Sequence, residues 1–139
     1  MLALLLLVAP VPEAPKPEAP VVTYRGKAED GTLTFTVTNP NGVPVTLTGY
    51  RHDSFAPPLP EGTFTPTYRI ERKGENGWVA HEMGWCKQGQ GPVHLKPKGT
   101  LEFVVHPPAQ GEFRLGLPWR AGDHIGPVAW SAAVPNAAP

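Results

Sequence analysis

Residues 32–50, read as TLTFTVT, NPNG and VPVTLTGY, constrain this chain more than any other stretch. Leu33, Phe35 and Val37 alternate with Thr34, Thr36 and Thr38, so one face is apolar and the other small and polar. A period of two is the pattern of a half-buried β-strand. Asn39-Pro40-Asn41-Gly42 is a dense turn signal, and a second β-branched run follows it. In that run Val45 and Leu47 share one face, and Thr46, Thr48 and Tyr50 the other. The expectation is a β-hairpin-like pair. This sets the class of the domain but not an activity.

The rest of the chain repeats the theme. Strands are expected at 21–24, 32–38, 45–52, 68–73, 78–82, 93–95, 101–105 and 112–119, with a last one within 126–134. Turns fall at 29–31, 74–77 and 96–99. Leu101, Phe103 and Val105 should share a face, as should Phe113, Leu115 and Leu117, and Val128, Trp130 and Ala132. Outside the first residues no segment carries ten or more residues of helical periodicity, and no internal repeat of fixed period stands out. Eight or nine short strands between turns describe an all-β sandwich or barrel. The irregular loop 54–65, SFAPPLPEGTFT, is where a small domain of this kind would carry function. A second loop, 84–91, holds Trp85 and Cys86.

Charge removes one class of partner. Twelve basic and twelve acidic residues leave no excess to neutralise phosphates, so nucleic acid is not an expected partner. Glycine (15) and proline (19) are numerous, but they fall in the N-terminal segment and between apolar runs. Four Trp, five Phe and three Tyr supply bulk for one core.

Residues 1–9, MLALLLLVA, resemble the apolar region of a secretory signal and are too short to span a bilayer. They depart from the pattern: no Lys or Arg precedes them, and Ala9, Ala14 and Ala19 are each followed by proline. No Cys follows, which leaves a lipoprotein anchor unsupported. The expected location is extracytoplasmic: periplasm, cell envelope or secreted. Residues 10–20, PVPEAPKPEAP, favour polyproline II and make a spacer of roughly 34 Å at ~3.1 Å per residue. A folded domain is expected over 21–134 and a frayed tail over 135–139.

Residues able to do chemistry are scattered. Cys86 is the sole cysteine, so no intrachain disulfide forms. Cys86 with the five histidines raises a copper site, but Met83 precedes Cys86, His94 follows by eight residues and no Met comes after, so order and spacing fail. His81-Glu82-Met83 lacks the second histidine of a zinc-protease helix. His52-Asp53-Ser54 holds the three hydrolase side-chain types, yet neighbours on an extended chain point to opposite sides. The expectation is no catalytic set, no metal and no cofactor. Trp85 and Trp119 are either exposed binding aromatics or caps on the ends of the core. Phe55, Leu59 and Phe64, in the proline-braced loop, complete the candidate binding residues.

Four strand-and-turn motifs carry a family resemblance: LTFTVTNPNGVPVTLTGY, YRIERKGENGWVAHEMGWC, LKPKGTLEFVV and GEFRLGLPW. Together they resemble a bacterial extracytoplasmic immunoglobulin-like domain, with Trp78 after the hairpin glycine and a Leu-x-Pro-x-Gly turn at Leu95–Gly99. The resemblance implies an immunoglobulin-like antiparallel β-sandwich of about seven to nine strands. These motifs speak to fold and say little about activity. The strand pattern, the signal-like leader and the lack of a coherent catalytic set lead instead to the expectation of a non-catalytic binding or structural module on the proline-rich spacer, with a protein or cell-envelope partner and a membrane tether through the N-terminal segment. The alternatives are a protease inhibitor on such a sandwich, presenting residues 55–64, and a cupredoxin-like metal-binding protein.

Overall fold

The computed structural model describes residues 15–54, 57–58, 63–86, 88–108 and 111–135. Among them the fold is all-β, with antiparallel pairing throughout. The strands are β1 (Val21–Lys27), β2 (Leu33–Thr38), β3 (Val45–Arg51), β4 (Phe64–Pro66), β5 (Arg69–Gly74) and β6 (Gly77–His81). They continue with β7 (Gln90–Leu95), β8 (Thr100–Val105), β9 (Phe113–Leu117), β10 (Arg120–Ala121), β11 (His124–Ile125) and β12 (Ala129–Trp130). One sheet runs β1-β2-β8. A second runs β11-β10-β3-β4, with β7 on the other side of β3. The third runs β12-β9-β5-β6.

The alternation seen in the sequence becomes one shared core. Phe35, Val37, Val45, Val105, Phe113, Leu115 and Leu117 are fully enclosed, and they come from all three sheets. Burial of such side chains contributes ~1.5–3 kcal/mol each before ordering costs. The β5–β6 hairpin turns at the expected place, with Gly74 opposite Gly77. Gly77 has φ of 119°, a conformation that a side chain would strain.

The NPNG stretch corrects the hairpin expectation. β2 and β3 do not pair: β2 lies between β1 and β8, while β3 lies against β7, β4 and β10. Two long strand pairs instead bend together. Thr38 faces Thr100 before the bend, and Val45 faces Leu95 after it, so both chains leave the first sheet and enter the second at one place. Such corners let strands pass between packed sheets.

Asn39 makes the bend. It is wholly buried, and its Nδ2 lies 2.8 Å from Val43 O, 3.1 Å from Lys96 O and 3.3 Å from Leu95 O. Its Oδ1 accepts from Asn41 N at 2.9 Å and its own N–H donates to Gly99 O at 2.9 Å. Lys98, at φ 60°, closes the facing turn and donates from Nζ to Pro40 O. The pattern of apolar and polar positions sees two strands and a turn. It does not see that a buried amide holds the turn open.

The last expected strand is also shorter than its sequence. Ala129–Trp130 pairs with β9 and Val134 makes a separate bridge to Phe113, and Ala129, Ser131 and Val134 are buried, not the Val128, Trp130 and Ala132 set. Ser131 Oγ accepts from Leu115 N at 3.0 Å, which fixes that face inward.

Gly49 has no room for a side chain. A Cβ there would sit 2.6 Å from Thr65 O and 2.8 Å from Val93 Cγ2, because β4 and β7 flank β3 closely. Gly49→Ala is therefore expected to destabilise the fold by about 2 kcal/mol through overpacking, read as a lower urea midpoint at unchanged slope. A neutral result would mean that β4 moves away freely.

Candidate functional site

A cavity of about 600 Å³ opens where the far ends of β3 and β8 meet the β4–β5 and β6–β7 connections. That volume falls within the range of ligand pockets. Tyr50 and Val104 stand near the ends of β3 and β8, and Thr65 lies in β4. Tyr68 precedes β5. Trp85 and Cys86 come from the irregular segment after β6.

Three rings form its wall. Tyr68 meets Trp85 edge-on, with centroids 4.7 Å apart and planes at 85°, and Tyr50 lies 5.9 Å from Trp85. Their polar ends are used within the protein. Trp85 Nε1 donates to Tyr68 O at 2.9 Å, and Tyr50 Oη donates to Cys86 O. Gln90 Nε2 donates to both Cys86 O (2.8 Å) and Tyr50 Oη (3.0 Å). The wall is therefore preset, and it offers ring faces more than free hydrogen-bonding groups. Ser54, Gln88 and His106 add polar groups around it.

Burial pushes the Tyr68 phenol above the usual tyrosine range, with the His106 peptide pulling the other way. Because the folded pKa is raised, the contribution is fully present below the unfolded value near ~10 and is lost as pH rises through the folded value. Absorbance titration should show one tyrosine ionising later than a free phenol, and Tyr68→Phe should remove that late phase. Its survival in the variant would contradict the assignment.

The candidate residues separate. Trp85 lines the cavity and packs against the core. Trp119 is only 4% exposed, donates from Nε1 to Pro127 O at 2.7 Å and lies 5.7 Å from the His124 ring. Phe64 is half-buried against the core. Phe55 and Leu59 lie outside the described residues. Tyr50, Tyr68 and Val104 escaped sequence reasoning because they read as ordinary strand residues. The one available signal was that Tyr50 and Tyr68 bracket the irregular loop.

Other constellations stay apart. Ser54 Oγ donates to Gly89 O at 3.0 Å and Asp53 faces Arg51 at 3.5 Å. Among the described residues, no three His, Cys, Asp or Glu side chains are grouped to hold a metal. Cys86 is an exposed free thiol.

A second aromatic feature lies on the outer face of the third sheet. The Arg114 guanidinium lies 4.2 Å from the Trp130 ring centre and 4.9 Å from that of Trp78, and it is ion-paired to Glu71. Here the rings are already occupied by a cation, a contact that rigidifies strands.

Compared with known proteins, the chain matches no family model, no curated protein and no solved structure.

Proposed function

We propose that this chain is a non-catalytic, immunoglobulin-like binding module that acts outside the cytoplasmic membrane. In this reading the Tyr50–Tyr68–Trp85 cavity receives an apolar or aromatic side chain of a partner protein. The observation that carries it is the preset aromatic wall, whose hydrogen-bonding groups are engaged internally. A concave apolar surface of that kind suits an anchor residue better than a highly polar ligand. The export part rests on the signal-like 1–9 segment and the proline-rich spacer.

The test is selection from a displayed random-peptide library on the unaltered protein and on Val104→Arg, which places a charge at the cavity while altering an exposed residue. Peptides with an apolar anchor that bind the unaltered protein and not V104R are expected. Equal enrichment on both would overturn the reading.

A further inference from the structure

β6 is an edge strand of the third sheet, and among the described residues nothing pairs with its outer side. The register shows which of its backbone groups stand open. Lys73 N donates to Glu112 O, next to β9, at 3.0 Å, so Arg69, Glu71 and Lys73 turn their backbone groups toward β9. Ile70, Arg72 and Gly74 turn theirs toward β6, where they face His81, Val79 and Gly77. That leaves the N–H and C=O of Trp78 and Ala80 pointing away from the sheet. The Trp78 ring does not screen them, because it is drawn back over the sheet to the Arg114 guanidinium, 4.9 Å from its centre.

The other edge strands carry devices that oppose pairing with a further chain. β1 has Arg25, Lys27 and a register shift between Tyr24 and Gly26. β7 contains Pro92, and β4 is three residues long and ends in Pro66. β8 exposes Glu102 and lies beside β4, and β11 and β12 have two residues each. β6, read as GWVAH, has no Pro, Lys, Arg, Asp or Glu, and its central Val79 is 60% exposed.

We propose that β6 pairs antiparallel with β6 of a second copy of this chain, about a two-fold axis at Val79. The strand's own symmetry names the occupant. A pair centred on Val79 sets Trp78 of each copy opposite Ala80 of the other. These are the residues with open backbone groups, so each Trp78–Ala80 pair exchanges both of its N–H···O bonds. The register also sets the large Trp78 beside the small Ala80 on one face and Val79 against Val79 on the other. His81 meets Gly77 and Glu82 meets Asn76, so no like charges stand opposite. A centre at Ala80 would set Trp78 opposite Glu82, and a centre at Trp78 would set Ala80 opposite Asn76 in the turn. Either keeps only one pair of strand residues with open groups facing each other. The pairing joins two four-stranded sheets edge to edge. A contact of one short strand belongs to the weak, transient class.

Sedimentation equilibrium on the full-length chain, from about 10 µM to 1 mM, tests the association. The mass should rise from one chain toward two across that range. Ala80→Pro removes an outward N–H and spares the pairing with β5, and it should weaken the dimer at least about tenfold. Val79→Lys, at an exposed position, should do the same. Unchanged urea midpoints report that the variants are folded. Val79→Cys in a Cys86→Ser background reads the register. Facing residues of a non-hydrogen-bonded pair lie ~4.5 Å apart at Cα, within disulfide reach, so oxidised glutathione should give a covalent dimer. A single-chain mass up to 1 mM would overturn the proposal, and so would a dimer that Ala80→Pro and Val79→Lys leave as tight as before.

Discussion

Asn39→Ala should lower the unfolding free energy by about 3 kcal/mol, because it strips hydrogen bonds from several enclosed groups at once. The carbonyls of Val43, Leu95 and Lys96 lose their donor, and Asn41 N loses its acceptor. Each buried group left unsatisfied costs ~1–3 kcal/mol, and neighbours in one network do not add fully. Asn39→Asp separates the two halves of the amide. It keeps an acceptor for Asn41 but faces the carbonyls with oxygen, so it should be at least as damaging as alanine near neutral pH. Urea unfolding followed by tryptophan fluorescence measures both. If either variant lost less than about 1 kcal/mol, Asn39 would not be what holds the paired bend.

Trp85→Ala should cost about as much, roughly 3 kcal/mol, and should also remove binding. Trp85 packs on the core, contacts Tyr50 and Tyr68 and donates to Tyr68 O. Its loss therefore opens the cavity into the interior. Trp85→Phe keeps a ring and gives up the indole donor, so it should recover more than half of the stability. Thermal unfolding ranks the three proteins. Equal midpoints for Trp85→Ala and the unaltered chain would show that the segment after β6 does not brace the wall.

Sequence and structure agree where one face of a strand suffices to decide. The Phe103 and Val105 face of β8 and the Phe113, Leu115 and Leu117 face of β9 are buried as their alternation requires. The β5–β6 turn falls where glycine spacing places it. What alternation cannot carry is which strand lies beside which. NPNG is compatible with a tight hairpin and with a bend shared by two strand pairs, and only the long-range bonds of Asn39 to residues 95–99 choose between them.

The cavity was legible only through Trp85. Its other walls come from distant positions: Tyr50, Tyr68 and Val104 converge because β3 and β8 both run away from the bend and end near each other. Trp119 stood out in the sequence by being aromatic beside a turn. Its indole is turned inward by the Pro127 carbonyl. The Trp78–Arg114–Trp130 stack was invisible for the same reason as the cavity, since cross-strand register places Arg114 opposite Glu71 and Gly116 opposite Trp130.

The most direct measurement is a two-dimensional ¹H–¹⁵N titration of the full-length protein with a library-selected peptide. Shifts are expected to gather on the amides of Tyr50, Tyr68 and Val104 and on the Trp85 indole N–H, and all to be absent in Val104→Arg. Shifts gathered on Trp78, Arg114 and Trp130 instead would contradict it, and would move the binding surface to the outer face of the third sheet.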